Sequence, residues 1–339
     1  MRKKQSVLQS GGENQVGNIL VSIHCLTYNH EQYIADAIDS FLMQKTNFKF
    51  EILIHEDAST DRTADIIREY EKKYPNLIKP IYQTENQYSK GVSVSAINIS
   101  RASGKYIAIC EGDDYWIDPY KLQKQFDYME KHPECSLCVH GGNVVNASDK
   151  KCVLFNRLNK GDKEFSVEEV IEGGGGLFLT NSMFYPLNLR KERPDFLVNA
   201  PVGDYPLVIY LSLLGTVYYM DELMSSYRIG DSTSWTGRTF SDIETKKQHY
   251  REIEDMLDEI NLYTNNIFKD AIDRRKNSTQ FFLLLEQGRF KEAKTGEYRE
   301  LYLKLGLKKK TILFIDQYSP SISKLLRFVK RRIINWTMI

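Results

Sequence analysis

Gly104-Lys-Tyr-Ile-Ala-Ile-Cys-Glu-Gly-Asp-Asp-Tyr-Trp116, running on into Asp118-Pro-Tyr-Lys-Leu-Gln-Lys-Gln125, decides the fold. Lys105 to Cys110 is a short apolar run rich in strand-forming residues, and it breaks at three acids around Gly112. Asp118 as a cap and Pro119 in the first turn then start a helix, whose Leu122, Phe126 and Met129 share one face before Pro133. The stretch reads as strand, acidic turn, helix.

The same grammar holds upstream. Ile19 to Cys25 predicts a buried strand, and Asn29 with Gln32 three residues on predicts a reciprocal helix cap. Ile34, Ala37, Ile38, Phe41 and Leu42 follow at the spacing of one helical stripe. Phe50 to Ile54 is a second strand, and Asp61 or Thr60 opens a helix that runs to about Tyr74, where Pro75 stops it. Ile78 to Tyr82 reads as a third strand and residues 91–102 as a weaker helix. Strands alternating with helices imply an α/β fold: a doubly wound, mostly parallel sheet covered on both faces.

Composition agrees with this class. The chain has 339 residues, 42% hydrophobic and 27% charged, enough at roughly 150 residues per domain for about two domains. The formal charge is +1, which speaks against a nucleic-acid partner. From Lys304 onward, however, nine basic residues face one acid. Ile322, Leu325, Leu326, Val329, Ile333 and Trp336 against Lys324, Arg327 and Arg331 read as a basic amphipathic helix suited to an anionic membrane surface, or else as a terminal helix docked on the protein. No run approaches the roughly 18 to 20 apolar residues of a membrane span, and no signal-peptide core follows Met1. The expected place is the cytoplasm, peripheral to the inner face of the cell membrane. Five cysteines at irregular spacing are expected as free thiols. His132, Cys135, Cys138 and His140 superficially suggest zinc, but core thiols are the default.

The organisation read from this is a mobile leader (1–17), an α/β half (18–140), a half of short strands and loops (141–240) and a helical C-terminal region (241–339) with the basic tail. The middle part contains Gly173 to Gly176, a loop that must bend sharply or move. Helical spacing returns after Ile243, with Ile253, Met256, Leu257 and Ile260 on one face.

In open parallel sheets ligands bind beyond the carboxyl ends of the strands. Three polar clusters sit at such ends: Thr27-Tyr28-Asn29, Glu56-Asp57-Ala-Ser59 and Glu111-Gly-Asp113-Asp114. Glu111, Asp113 and Asp114 repel one another unless protons or a cation intervene, which suits Mg²⁺ or Mn²⁺ shared with a diphosphate, though a solvated acidic turn has the same spacing. Asp57 serves either a nucleoside or the cap of the next helix. Trp116, Tyr227 and Trp235 offer rings either to an acceptor sugar or to the core.

Together these motifs resemble the inverting family-two glycosyltransferases of GT-A fold, of the bacterial surface-polysaccharide type. The resemblance rests on Val21 to Asn29, His55 to Asp61, Gly104 to Gln125, Gly203-Asp-Tyr-Pro-Leu207 and Tyr227-Arg228, over about residues 18 to 236. It implies a nucleotide-sugar donor, UDP-linked, with 18–140 as the nucleotide-sugar-binding α/β half, and a glycan or lipid-linked acceptor, with 141–240 as the acceptor-binding half. It places Leu26, Thr27, Asn29, Asp57, Ser59 and Asp113 on the nucleotide, Glu111, Asp113 and Asp114 on the metal, and Asp204 as catalytic base. Trp116, Tyr227, Arg228 and Trp235 fall on the acceptor side. Glu111 stands where the family has Asp, and Ile229-Gly-Asp231 where relatives often carry a His. The rivals are a sugar nucleotidyltransferase, which wants a Gly-rich phosphate loop that residues 26–32 lack, and a non-catalytic glycan- or nucleotide-binding module. Oligomeric state is not legible.

Overall fold

A computed structural model describes residues 18–190, 193–231 and 242–307, with isolated positions between 234 and 240 and between 309 and 313. The leader, Trp235 and the amphipathic segment from Ile322 to Trp336 lie outside the described residues.

The alternation read from the sequence is present. It runs β1 (Ile19–Thr27), α1 (Ile34–Leu42), β2 (Lys49–Glu56), α2 (Thr63–Lys73), β3 (Ile78–Tyr82), α3 (Val94–Ile99), β4 (Tyr106–Ile109), β5 (Tyr115–Trp116) and α4 (Lys121–Lys131). Strands β3, β2, β1 and β4 lie side by side and parallel. The sheet continues through β6 (Cys135–Asn146), β7 (Cys152–Asn156), β8 (Lys163–Phe165), β9 (Phe184–Pro186) and β10 (Thr216–Ile229). Its main path is β3-β2-β1-β4-β9-β6-β10-β5, ten strands in all once β7 and β8 are added at β6 and β10. Because β6 spans residue 140, the division placed there from the sequence falls inside a strand.

Apolar residues explain the two layers. Val21, Ile23 and Cys25 alternate onto one face of β1, where they meet Ile52 and Ile54 of β2 and the α1 stripe of Ile34, Ala37, Ile38 and Phe41. On the other layer, Leu137, Val139, Val217 and Tyr219 pack under α5 (Val167–Gly173), α6 (Asp195–Val198) and α7 (Asp204–Leu214), with α8 (Ile243–Tyr263) joining through Ile253, Met256, Leu257 and Ile260. The glycine run turns at Gly174 (φ 74°), against the Arg275 side chain of α9 (Lys269–Glu286). No helix among the described residues is long and apolar enough to cross a membrane.

One local reading is overturned. Asn29 does not cap α1, which begins at Ile34 without a side-chain cap. Its backbone takes the left-handed conformation (φ 55°) that Asn tolerates, and its amide oxygen accepts from Thr60 N at 2.8 Å in the neighbouring loop.

At the amino ends of the strands a polar knot joins β1, β2 and the turn before β4. Ser22 Oγ donates to Glu51 Oε1 (2.7 Å) and accepts from Gly104 N (2.9 Å), while Lys79 pairs with the same carboxylate at 2.5 Å. A Cβ at Gly104 would lie 2.6 Å from Ser22 N and 2.7 Å from Val21 C, both backbone atoms that cannot yield. Gly104→Ala is therefore expected to destabilise the fold by about 1–3 kcal/mol in denaturant titration, the usual range for overpacking. An unchanged midpoint would mean that the turn is looser than this contact implies.

Candidate active site

The order β2-β1-β4 brings the three polar strand ends to one rim. Asp57 N donates to Thr27 O at 3.1 Å and Gly112 N to Leu26 O at 2.9 Å, so the parallel ladder extends past the strands into the loops that carry the chemistry. A Cβ at Gly112 would stand 2.6 Å from Thr27 Oγ1 and 2.8 Å from its Cβ; only glycine lets the acidic turn lie this close to β1. Asn29 N donates to Ser59 Oγ (2.9 Å) and Ser59 N to Glu56 Oε1 (2.6 Å), which ties the loops after β1 and β2 together. His30 joins this rim, with Nδ1 3.2 Å from Thr27 Oγ1 and Nε2 3.9 Å from Asp113 Oδ2.

Asp57 is buried, and its carboxylate accepts from Gln87 N (2.8 Å) and Tyr88 N (3.0 Å). It therefore anchors the segment between β3 and α3, and each oxygen keeps lone-pair capacity for one more donor. It does not cap α2: the carboxylate that meets the start of that helix is that of Asp61, one residue before the N-cap Arg62, and it accepts from Thr63 N at 2.9 Å. Behind Asp57 lies the buried His55, with Nε2 3.5 Å from Asp57 Oδ1. Burial lowers the His55 pKa, and the neighbouring Asp57 works against that shift.

The three acids of the turn part company. Asp114 points inward, where Oδ2 accepts from Asn181 Nδ2 (3.0 Å) and Oδ1 from Arg228 N (2.8 Å). Asp114, read as a metal ligand, thus has both oxygens holding the turn to the second half of the sheet. Asp113 retains 27% side-chain exposure at the rim. Glu111 is pushed up to about 8, by burial first and then by the charges of Asp113 and Asp204. Asp204 opens α7, accepting from Tyr205 N (2.7 Å) and facing Thr180 Oγ1 (3.4 Å), and burial raises its pKa as well. The acid read as a base from a remote motif thus lies within electrostatic reach of Glu111.

Among the described residues no three His, Cys, Asp or Glu side chains form a ready-made metal cage. Mg²⁺ and Mn²⁺ need less, since one or two carboxylates suffice when phosphates and water complete the shell. Asp113 with Glu111 fits that requirement: hard oxygen donors whose mutual repulsion a cation would relieve.

The acceptor-side assignments change. Trp116 is core: it is 1% exposed, donates Nε1–H to Asn181 O (2.8 Å) and meets Phe41 edge-on at 4.9 Å. Arg228 is buried too, its guanidinium engaged by Asp36 and by the Asp113 carbonyl, which turns it away from any acceptor. Tyr227 is half-buried on β10 opposite Val144. The cysteines are all free, and His132 and His140 bond instead to Glu134 (2.9 Å) and Gly141 O (2.7 Å), which leaves no zinc set there. The sequence reading missed His30, Asn181, Thr180 and Asp36. His30 was within reach, three residues after Thr27; the others carry no local pattern.

The raised carboxylates have a consequence for stability. The unfolded chain releases the Glu111 proton near its ordinary value, whereas the folded chain holds it to about 8, so this group's contribution is full at low pH and is lost as pH rises to that value. In EDTA, Glu111→Gln should accordingly gain thermal stability over wild type as pH rises from 5 to 8. A difference that does not vary with pH would show that Glu111 ionises normally.

Residues 22–176 match the family model described as Glycosyl transferase family 2. An uncharacterized protein of Mycobacterium tuberculosis is 36% identical over 209 residues, 61% of this chain and 58% of its own length; the chain thus spans less than two thirds of that relative. TarS of S. aureus, solved in complex with UDP, superposes with a TM-score of 0.53 at 18% identity, covering 89% of this chain and 81% of TarS. A mannosyltransferase from Pyrobaculum calidifontis, solved with GDP-Man and Mn²⁺, gives 0.56 at 14% identity, covering 90% and 82%. These two likenesses bear on the fold, which is of GT-A type with a helical C-terminal region. Residues 22–176, a little under half of the chain, thus form a segment of the glycosyltransferase family 2 type.

Proposed function

We propose that the chain moves a sugar from a nucleotide-diphosphate donor, a UDP-sugar, to a glycan or lipid-linked acceptor with inversion at the anomeric carbon. One observation carries the reading: Asp204, from the second half of the chain, faces Thr180 Oγ1 (3.4 Å), whose neighbour Asn181 bonds to Asp114 (3.0 Å) in the turn after β4, which favours an acceptor-side acid beside the donor-side acids. The UDP of TarS and the GDP-Man and Mn²⁺ of the mannosyltransferase are in keeping with a donor at that rim.

Each residue has a role in this reading. The loops of Leu26, Thr27, Asn29 and Ser59 frame the base, and Asp57 takes a donor hydrogen from the nucleoside. Asp113, with Glu111, would hold Mg²⁺ or Mn²⁺, which when bound would neutralise charge on the departing diphosphate. Asp204 takes the proton of the acceptor hydroxyl as that oxygen attacks the face opposite the diphosphate. Burial suits it to this task, because a raised pKa makes a carboxylate a stronger base nearer neutral pH.

A lipid-linked acceptor would bring the enzyme to the inner face of the membrane, where the basic segment after Ser321 would bind anionic lipid. Removing that segment should release the protein from phosphatidylglycerol vesicles in a flotation assay. Undiminished binding would place the contact elsewhere.

Asp204→Asn should lower transfer from a UDP-sugar by about a hundredfold or more, the usual scale for a lost general base, while UDP affinity changes little. A panel of sugar nucleotides, scored for Mn²⁺-dependent thermal stabilisation, would identify the donor. Full activity of Asp204→Asn would remove it from the base role, and UDP binding unaffected by EDTA would remove the cation.

A further inference from the structure

Arg228 sits one residue from the end of β10 with its side chain 2% exposed. A buried guanidinium needs partners for its charge, and here the two terminal nitrogens have them while Nε has none. Here the partners come from two distant places: Asp36 on α1 and the main-chain carbonyl of Asp113. Its own backbone N–H holds Asp114 at 2.8 Å. The guanidinium lies between the rings of Tyr33 (5.0 Å) and Tyr115 (4.5 Å), and Tyr33 in turn donates its hydroxyl to Asp231 at 3.0 Å. Lys150 also reaches Asp36 (2.7 Å), but from an exposed position.

We propose that the Arg228–Asp36 pair is a positioning device for the carboxylate turn: it fixes the main chain of Asp113 and so aims that carboxylate at the donor, without touching the donor itself. The inference rests on the donor reading above. The turn crowds Glu111, Asp113 and Asp114 together, and Arg228 is the buried cation seated against two of those three residues. Asp36 sets the direction in which that cation points. The geometry suits arginine, because its rigid planar fork holds two N–H groups at a fixed divergence toward the two acceptors, whereas the lysine ammonium on its flexible stem has no such fixed fork.

The test uses the full chain with Arg228→Lys and Asp36→Asn, singly and together, and Lys150→Ala as control. Hydrogen exchange of residues 110–116 and the affinity for UDP with Mn²⁺ are both measured. Each single variant should speed exchange in that segment about tenfold while β1 and β2 keep their protection, and should raise the UDP–Mn²⁺ Kd about tenfold. The double variant should be no worse than Arg228→Lys, and Lys150→Ala should match wild type. Unchanged exchange, loosening spread evenly through the sheet, or a loosened turn that still binds UDP–Mn²⁺ as wild type does would each overturn the proposal. If wild type itself ignores UDP–Mn²⁺ while the turn loosens as described, the donor reading fails and the clamp stands. Should Arg228→Lys not fold, Asp36→Asn, on a partly exposed side chain, carries the same comparison.

Discussion

The rim exists because the turn after β4 lies against the end of β1 with nothing but a glycine hydrogen between them. Gly112 N bonded to Leu26 O, with Thr27 directly beneath, sets the separation between the nucleotide-side loops and the acidic turn. A side chain at that position would open the ladder where the loops of Asp57 and Asp113 come together. The constraint is steric and local, yet it decides whether residues half a domain apart in sequence act as one site.

Carboxylates drawn into this region differ in how the protein satisfies them. Asp57 and Asp114 accept hydrogen bonds at both oxygens and are parts of the framework. Desolvation raises the pKa of Glu111, Asp114 and Asp204 alike, although Asp114 and Asp204 each accept hydrogen bonds at both oxygens. Such desolvation is costly in a stable core and common where a ligand or a proton transfer resolves it.

Much of this was legible in the sequence, and the reasons are physical. The α1 stripe, the β1 and β4 runs and the acidic turn depend on periodicity and on nearest neighbours, so a local pattern suffices to read them. Asn29 misled because a cap motif and a left-handed loop Asn look alike until Thr60 is seen across the gap. Asp114, Trp116 and Arg228 are harder to read, since their contacts are set by partners far away in the chain. Asp114 meets Asn181 at a separation of 67 residues, and Arg228 meets Asp36 at 192. No spacing rule spans such distances.

The long strand β10 explains why those distant partners converge. It runs parallel to β6 as far as Ile229 opposite Asn146, and on its other edge it pairs through Ser225 and Ser226 with β5, immediately after the acidic turn. Ser225 and Ser226 lie opposite Trp116 and Tyr115, so Arg228 arrives two residues later at the level of the turn itself. Sheet register thereby delivers a cation to a crowded group of carboxylates from the half of the chain that also supplies Asp204. Donor-side geometry is consequently not a property of the first 140 residues alone: the second half must be folded onto the sheet before the turn after β4 has its full set of hydrogen bonds.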